Sequence, residues 1–457
     1  MQDDRQLRDS SLWQPNQLGA LLQLAWPITV SLVSFSLMTA VDTLFVGRLG
    51  AAALAGVGLG GAASFTVVCF GVGLLRSAKI AVARAAGAGN ERAIRAYLGA
   101  GLWIALAVGV ATAALGQVIA LALPWLMSSP ASGHAARTYM ALRTLGAPIV
   151  LAVVAMRETR HGLGDARAPM VATLIANVAN VGLVAAFSLG AQWGVAGVAS
   201  ATLLAQLLEA VLLAVRERRQ GFGLSVPSRQ ELSLLLELGV PLGIERFFDV
   251  SSFTLMVALF ARMGDVDLAA HQIASQAVLF AFMPSMAIGD AACVLIGQSV
   301  GARDLSRVPR IQRSAVLLGA LYVAVCSCVL LSCATVLCQL FTDDAVVIAR
   351  SAQLLRVAAV FVWALPLYQV GQSSLRALGD VRVAALITVG SAWGCTPLLA
   401  AVLGLWLGLG ALGGWVGLGA ELGLAAWMFW WRLRAQHAAE LAPAPRLSRD
   451  VAPQLGP

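Results

Sequence analysis

Charged residues are scarce in this chain. Asp, Glu, Lys and Arg together make up 12% of its 457 residues, whereas hydrophobic residues make up 59% and the mean hydropathy is +0.82. About a quarter of the residues in a typical soluble domain are charged, so this composition excludes an ordinary soluble protein. It instead indicates a chain built largely of membrane-spanning segments.

Motifs for catalysis and for nucleotide hydrolysis are also missing. The sequence has no Gly-x-x-x-x-Gly-Lys-Ser/Thr loop, which excludes ATP hydrolysis by that route, and no His-Glu-x-x-His or Gly-x-Ser-x-Gly motif. It has four histidines, and four of its seven cysteines crowd one apolar segment at a spacing that does not present them to one metal. We therefore expect no enzymatic activity and no cofactor or metal beyond a coupling ion.

Apolar segments long enough to cross a bilayer follow one another along almost the whole chain. Frequent glycines and isolated prolines fit helices that pack closely and bend. The sequence therefore predicts an all-α membrane protein with twelve transmembrane helices, at about 17–46, 51–83, 94–123, 136–156, 168–189, 192–215, 232–261, 267–300, 311–341, 348–375, 382–407 and 409–433.

Arginines are distributed unevenly between the two sides of this predicted bundle. With both termini on one side, 22 arginines fall in the loops and ends of that side and 6 in the loops opposite. Because arginine-rich loops stay in the cytoplasm, both termini are predicted to be cytoplasmic, in an inner (plasma) membrane. The net charge of +8 is then a topology signal, and since the arginines are dispersed we expect no nucleic-acid binding. The charged N-terminus is not expected to be a cleavable secretory signal.

The chain contains a long internal repeat. Aligned without a gap from Leu24 to Ala88, the first half returns 214 residues later, and a further match recurs with a one-residue slip. The matched residues are Pro27, Arg48, Gly50, Leu54, Ala55, Gly87 and Ala88 with Pro241, Arg262, Gly264, Leu268, Ala269, Gly301 and Ala302, and then 163–167 with 378–382. A repeat of this length in a membrane chain indicates two similar halves that face each other, as in alternating-access transporters.

The repeat and the spans together predict the domain organisation. Six spans per half is an even number, so both halves insert in the same orientation and are related by an axis along the membrane normal. We expect two pseudo-symmetric six-helix lobes across a central cleft. The predicted parts are a cytoplasmic segment at 1–16, an N-lobe at 17–215, a cytoplasmic linker at 216–231, a C-lobe at 232–433 and a disordered cytoplasmic tail at 434–457.

Acids inside spans are the sharpest functional candidates, because a membrane-embedded charge is costly unless it is paired or hydrated. Asp42 lies late in span 1, and we expect a cavity-facing carboxylate that exchanges a coupling ion; the alternative is a salt bridge or hydrogen bond to a neighbouring helix. Glu245 and Asp249 share one face of span 7 and are a second ion-coupling candidate, while Arg246 is expected to point away from them. Alternatively, one of the two acids bridges to an arginine such as Arg76.

A possible gate follows from the repeat. Asp290 in span 8 stands at the repeat position of Arg76 in span 2, so the two could meet across the lobe interface as a gating pair. Glu209 and Glu421, in spans 6 and 12, are expected to serve helix packing.

The cleft is expected to mix amides, aromatic rings and thioethers with carboxylates. Such a surface suits organic cations through hydrophobic burial, cation–π contact and charge. The candidate lining residues are Asn177, Asn180, Gln206, Met256, Phe280, Met283, Tyr368, Gln369 and Gln372.

A set of short motifs resembles the multidrug and toxic compound extrusion (MATE) transporters over residues 17–433. Each motif is weak alone, but their order and spacing are specific. They are Trp26-Pro27, Val41-Asp42-Thr43 with Val46-Gly47-Arg48-Leu49-Gly50, Gly87-Ala88-Gly89, Gly162-Leu163-Gly164-Asp165-Ala166-Arg167-Ala168-Pro169, Gly194-Val195-Ala196-Gly197, Pro241-Leu242-Gly243-Ile244-Glu245, His271-Gln272-Ile273-Ala274 and Leu375-Arg376-Ala377-Leu378-Gly379-Asp380.

The resemblance implies a twelve-helix, two-lobe antiporter that exports drugs against inward H+ or Na+ flow. Asp42 matches the span 1 aspartate that binds the coupling ion in the N-lobe of this family. Glu245 matches the span 7 glutamate implicated in the C-lobe cation site of the NorM-type branch. The chain departs from the family twice: Val184 stands where many members have an acid in span 5, and no aspartate occurs early in span 10.

These observations favour a cation-coupled antiporter that exports amphipathic, often cationic drugs or metabolites and acts as a monomer among membrane lipids. A proton is favoured over sodium, because sodium prefers several oxygen ligands whereas a proton needs one carboxyl group in an apolar span. One alternative is a flippase or exporter of a lipid-linked or other endogenous substrate, for which Arg76, Lys79 and Arg246 are the candidate cleft cations. A membrane-embedded enzyme or scaffold is a further alternative, which the repeat and the lack of catalytic motifs disfavour.

Overall fold

A computed structural model describes residues 17–127, 129–219, 221 and 226–441. All regular elements in these ranges are helices. The predicted N-terminal segment, 1–16, lies outside the described residues, as do 442–457 of the predicted tail and most of 220–225 in the predicted linker.

The described chain folds into twelve consecutive long helical units, as predicted. Two of the units are broken into two pieces. The units are α1 Gln17–Gly47, α2 Ala51–Gly87, α3 Glu91–Ala122, α4 Pro130–Leu145 with Ala147–Leu163, α5 Arg167–Val184, α6 Gly194–Arg219, α7 Arg229–Met263, α8 Asp265–Gly301, α9 Val308–Ser332, α10 Ala345–Phe361 with Leu365–Leu378, α11 Val381–Leu399 and α12 Ala411–Leu441.

Most of these units are long and apolar enough to cross a membrane. Ten described helices qualify by length and composition, and the two pieces of α4, bent by 47°, make an eleventh span if they count as one. The remaining unit, α7, is 35 residues long but carries several charged side chains, among them Glu245 and Asp249. Membrane proteins place such charges in the bundle interior or a cavity rather than against lipid.

The ends of some units differ from the predicted spans. The α4 unit begins at Pro130 and ends at Leu163, several residues beyond the predicted span at each end. Its bend has a local cause, because Pro148 near the start of the second piece cannot donate a backbone hydrogen bond. The α12 helix continues to Leu441, so the start of the predicted tail, 434–441, is helical rather than disordered.

Each lobe has its own apolar core, and a third core joins the lobes. Phe260, Trp415 and Phe429 are fully buried in the C-lobe, and a smaller N-lobe cluster contains Val46 and Val184. The shared core packs α1 and α2 against α7 and α8. The lobes therefore meet along a continuous interface made mainly by these four helices.

The sequence repeat is visible in the packing at one end of this interface. A Cβ atom added to Gly87 would lie 1.9 Å from the Gln298 carbonyl oxygen, and one added to its repeat mate Gly301 would lie 1.9 Å from the Arg84 carbonyl oxygen. Arg84 and Gln298 are themselves repeat mates. The C-terminal ends of α2 and α8 thus cross at a pseudo-two-fold axis, at a distance that only glycine permits. We call this crossing the closed end.

The later parts of the two lobes follow the same symmetry. Both α5 and its repeat mate α11 finish in a π-helical turn, at Ala185–Gly190 and Ala400–Trp406. Such wide turns are rare, so their recurrence at matched positions supports the predicted lobe repeat.

Candidate functional site

The N-lobe buries Asp42 between α1, α5 and α6. Its side chain is 6% exposed, and its Oδ2 atom lies 3.0 Å from the Thr202 hydroxyl of α6. The Asn180 amide of α5 donates to the same hydroxyl over 3.4 Å. The Asp42 Oδ1 and Asn180 Oδ1 atoms are buried without a hydrogen-bond partner in the part of the chain that the structure describes.

No cation balances this carboxylate in the described residues, where no lysine or arginine nitrogen lies within 4 Å of Asp42. The salt-bridge alternative for Asp42 is therefore wrong in this structure, and the hydrogen bond to a neighbouring helix is present. A buried carboxylate in an apolar span without a paired cation can hold a proton or receive a small cation.

The other N-lobe candidates lie apart from Asp42. The Asn177 amide donates to Ser34, to its backbone oxygen over 2.9 Å and to its hydroxyl, and so ties α5 to α1. Gln206 is half-buried on α6, one turn beyond Thr202. Val184 is fully buried against Val46, so the family's second acid position is part of an apolar core here.

The C-lobe contains a cavity of about 780 Å³ that reaches across to α2. Most of its α2, α7 and α8 lining lies in the halves of these helices remote from the closed end. Lining residues include Phe65, Thr66 and Arg76 of α2 together with Glu245, Asp249, Phe253, His271, Phe282, Tyr368, Gln372, Arg376, Thr396, Trp415 and Glu421.

Glu245 is held in a buried ion pair. Its Oε1 atom accepts from Arg376 Nη2 over 2.5 Å and from Gln372 Nε2 over 2.9 Å. Gln372 also donates to the Thr388 hydroxyl over 2.8 Å, so the network links α7, α10 and α11. Glu245 thus bridges to an arginine, as in the alternative prediction, but the arginine is Arg376 rather than Arg76.

Asp249, the second acid of α7, pairs within its own helix. Its Oδ2 atom lies 2.9 Å from Arg246 Nη1, one turn earlier. The expectation that Arg246 points away from the acids was wrong, because residues three apart on a helix are neighbours and a long guanidinium side chain spans the gap. Arg246 also lies 5.9 Å from the centre of the Phe65 ring on α2.

The predicted pair of Arg76 and Asp290 is formed across the lobe interface. Arg76 Nη2 lies 2.9 Å from Asp290 Oδ1. Lys79 joins this pair, a contact that was not predicted from the sequence: its Nζ atom lies 2.6 Å from the same oxygen and 3.4 Å from Glu158 of α4. Two N-lobe cations therefore hold one C-lobe carboxylate between the cavity and the closed end.

At the closed end, repeat-related side chains make reciprocal hydrogen bonds. Arg84 Nη2 donates to the Ala377 carbonyl at the end of α10 over 2.7 Å, and Gln298 Nε2 donates to the Gly162 carbonyl at the end of α4 over 3.2 Å. Each side chain thus caps the C-terminus of a helix in the opposite lobe.

The cavity contains only part of the predicted lining. The three N-lobe candidates do not line it, because the cavity lies in the C-lobe and reaches only α2 of the other lobe: Asn177, Asn180 and Gln206. Tyr368, Gln369 and Gln372 line it, as predicted. Met256 does not line it, because Met256 is fully buried in the C-lobe core. Phe280 is 63% exposed on the outside of α8 and does not line the cavity either, and nor does Met283. Apolar side chains pack equally well against a core, lipid or a cleft, so their type alone could not decide.

Arg376 was not predicted to be a site residue, and Glu421 was predicted only to serve helix packing. Arg376 lies in the last turn of α10. From sequence alone, a basic residue at the end of a span is taken to face the solvent near a loop, not to pair with a buried acid. Glu421 lines the cavity and accepts a hydrogen bond from the Thr396 hydroxyl, and its N-lobe counterpart Glu209 accepts one from Thr173 over 2.6 Å. Among the described residues, no group of three or more His, Cys, Asp or Glu side chains could hold a metal ion.

Comparison with solved structures places this architecture among known transporters. A transporter of the MOP superfamily from Pyrococcus furiosus superposes with a TM-score of 0.86, covering 94% of this chain and 97% of its own, at 20% sequence identity. At this identity the likeness shows the fold.

Sequence comparison is more specific. The probable multidrug resistance protein NorM of Deinococcus radiodurans is 30% identical over 444 residues, which is 93% of this chain and 97% of its own length. A protein of the same description from Pseudomonas syringae pv. tomato is 29% identical over 95% of this chain and 97% of its own length. The sequence model of the MatE family matches residues 27–185 and 241–402, one stretch in each lobe. This chain is therefore a multi-span membrane transporter, not an enzyme, and it belongs to the MatE family of multidrug and toxic compound extrusion transporters.

Proposed function

We propose that this chain is an antiporter that exports amphipathic, often cationic drugs or metabolites in exchange for an inward-moving cation, and that the cation is H+ rather than Na+. The observation that carries the proposal is Asp42, a buried N-lobe carboxylate without a paired cation in the described residues. A separate cavity of about 780 Å³ in the C-lobe offers room for a substrate.

Alternating access is supported by the two ends of the interface. At the closed end, backbones touch at Gly87 and Gly301, and Arg84 and Gln298 bridge the lobes. The cavity extends from the Arg76–Asp290 pair toward the opposite end. A cavity on one side of an inter-lobe closure is what one state of an alternating-access cycle requires.

The proposed orientation follows from the arginines. The closed end carries the arginine-rich loops, so the positive-inside rule places it, and both termini, in the cytoplasm. In the inner membrane the cavity would then face outward. The gate of Arg76, Lys79 and Asp290 would lie between the cavity and the cytoplasm, and opening it would separate the charges.

A proton fits the surroundings of Asp42 well. The Thr202 hydroxyl has one hydrogen but two acceptors at 3.0 Å, Asp42 Oδ2 and the Val198 carbonyl oxygen. If Asp42 carries a proton on Oδ2, it can donate to the Thr202 oxygen while the Thr202 hydroxyl donates to the Val198 carbonyl, so both contacts of the hydroxyl become hydrogen bonds. A sodium ion would find Asp42 Oδ1 and Asn180 Oδ1 as unpartnered oxygens, which is a sparse ligand set.

One observation supports the flippase alternative and another argues against it. Three arginines line the cavity, Arg76, Arg246 and Arg376, which would suit an anionic headgroup. However, each of them is paired with a carboxylate, so none offers an uncompensated charge to such a substrate. We retain export of an endogenous substrate as the second candidate.

The test is transport by the purified protein in proteoliposomes. Under an imposed pH gradient, a cationic dye should cross the membrane in the direction opposite to the proton flow, and a lipid-linked substrate should not. If the dye moves under neither a pH gradient nor a sodium gradient, the proposal is contradicted. Cross-linking and light scattering in lipid nanodiscs would check the accompanying expectation that the transporter acts as a monomer.

A further inference from the structure

Pairing balances all but one of the charged side chains that line the cavity. Arg376 is paired with Glu245, Arg246 with Asp249, and Arg76 with Asp290. The remaining lining charge is Glu421 of α12. In the described part of the chain, no lysine or arginine nitrogen lies within 4 Å of its carboxylate.

Glu421 is nevertheless buried in the wall of the cavity. It is 8% exposed, and the Thr396 hydroxyl donates a hydrogen bond to its Oε2 atom. One hydroxyl donor does not compensate for the water that an ionised carboxylate loses on burial. The site therefore needs a positive charge supplied from the cavity, or a proton when the cavity holds no cation.

Aromatic faces lie in the same cavity wall. Trp415 is on the same helix as Glu421, and its indole nitrogen donates to His271 Nδ1 over 3.2 Å. That hydrogen bond fixes the indole, and the Phe361 ring lies 6.0 Å from it. Aromatic rings and a carboxylate in the wall of one cavity form a surface that suits organic cations, because the ring quadrupole and the anion both attract positive charge.

We propose that Glu421 receives the cationic group of the exported substrate, and that Phe361 and Phe253, which line the same cavity, receive its apolar body. This inference rests on the proposed function and specifies its substrate contact. It also separates the C-lobe acids by role, since Glu245 then joins α7 to α10 and α11 through Arg376 and Gln372.

The N-lobe offers a matched control for Glu421. Glu209 is a buried glutamate on α6 that is hydrogen-bonded to the Thr173 hydroxyl, just as Glu421 on α12 is bonded to Thr396. The two are similarly buried, at 9% and 8% exposure, but Glu209 does not line the C-lobe cavity. The same Glu→Gln change at the two positions therefore separates the effect of the cavity from that of burying a polar group.

The experiment measures binding of two probes to the full-length chain in detergent, at fixed pH and without sodium, by isothermal titration calorimetry. The probes are tetraphenylphosphonium, a permanent cation, and triphenylphosphine oxide, a neutral relative. Glu421→Gln should weaken tetraphenylphosphonium binding by about tenfold or more through loss of the charge contact. It should leave the neutral probe within about twofold, and Glu209→Gln should leave both probes within about twofold.

Wild-type affinity for tetraphenylphosphonium in folded Glu421→Gln would overturn the inference, as would an equal loss for both probes. If the amide variant does not give a symmetric gel-filtration peak, Glu421→Asp decides instead. It keeps the charge but withdraws it by one methylene, so the cation should bind about threefold more weakly and the neutral probe equally well. Unchanged cation binding in that variant would contradict the inference. Failure of the wild-type protein to bind tetraphenylphosphonium would instead contradict the proposed substrate class, and this inference with it.

Discussion

The two lobes repeat one sequence pattern but treat their buried acids in opposite ways. In the N-lobe, Asp42 contacts a threonine hydroxyl and no cation among the described residues. In the C-lobe, Glu245 contacts the guanidinium of Arg376 at 2.5 Å and the amide of Gln372 at 2.9 Å. Both carboxylates are almost fully buried, so the difference between them lies in what balances the charge.

This difference has a consequence for coupling. Asp42 can gain or lose a proton or a cation without breaking an ion pair. Glu245 can do so only if the pair with Arg376 opens, which would leave a buried guanidinium unpaired and is costly. A carboxylate that must change its charge state in every cycle is therefore better placed at Asp42, and we propose that coupling resides in the N-lobe.

The largest expected effect comes from Asp42→Asn, which should abolish efflux. The amide has nearly the shape of the acid, so the change removes the exchangeable charge while the packing against Thr202 is kept. The measurement is energised efflux of a cationic dye from cells with matched expression levels. Glu209→Gln is the control, because it changes another buried N-lobe acid in the same way and should stay near wild type. Efflux above half of the wild-type rate in Asp42→Asn would sink the coupling role.

A second large effect is expected from Glu245→Gln, through stability as well as transport. Removing one partner of a buried pair leaves Arg376 uncompensated, which should cost about 3 kcal/mol in free energy of unfolding. Adding Arg376→Met removes the stranded charge and should restore most of that stability. Thermal unfolding in detergent measures both variants, and dye efflux is measured in parallel.

The double variant sharpens the comparison between the lobes. If Glu245 only joins helices, Glu245→Gln with Arg376→Met should regain efflux along with stability. A stable double variant that transports no dye would show that Glu245 takes part in ion coupling, as the family resemblance implies.

A moderate effect is expected at the inter-lobe gate from Lys79→Met. Lys79 joins Asp290 to Glu158, so its removal should weaken the closed end and populate states in which the lobes separate there. The readout is Cys293, which lies 2% exposed in the core shared by both lobes. With the other cysteines replaced, Cys293 should react severalfold faster with a maleimide in the variant. An unchanged labelling rate would argue against a gate at this position.

The smallest effect is expected from Asp249→Asn. The Asp249 and Arg246 side chains are 38% and 40% exposed and lie three residues apart on one helix. Exposed pairs of this kind contribute about 0.3–0.5 kcal/mol, so efflux should stay within about twofold of wild type. A loss as large as that of Glu245→Gln would reverse the predicted order of the two span 7 acids.

Much of the architecture could be predicted from the sequence, because it depends on patterns that extend along the whole chain. Twelve units follow from the apolar segments, and the 214-residue repeat predicted the contact between Arg76 and Asp290. Asp42 stood out because a lone acid in an apolar span has few structural explanations.

The charge partner of Glu245 could not be predicted in the same way. Which arginine reaches Glu245 depends on how α10 packs against α7, and Arg376 and Glu245 are 131 residues apart. The positions of aromatic and thioether side chains did not predict which of them line the cavity either, since Met256 and Phe280 are as apolar as residues that do line it. The three-dimensional packing of the helices decides which arginine pairs with Glu245 and which apolar side chains line the cavity. The periodicity of the sequence carries no information about that packing.

The most direct test measures which ion gradient drives dye transport by the wild-type protein and by Asp42→Asn in proteoliposomes. In sodium-free buffer on both sides, a pH gradient alone should drive dye movement by the wild-type protein and none by Asp42→Asn. Sodium prefers more oxygen ligands than Asp42 and Asn180 supply, so an added sodium gradient should not raise the rate. No movement under the pH gradient, with movement restored by a sodium gradient, would falsify the proton assignment.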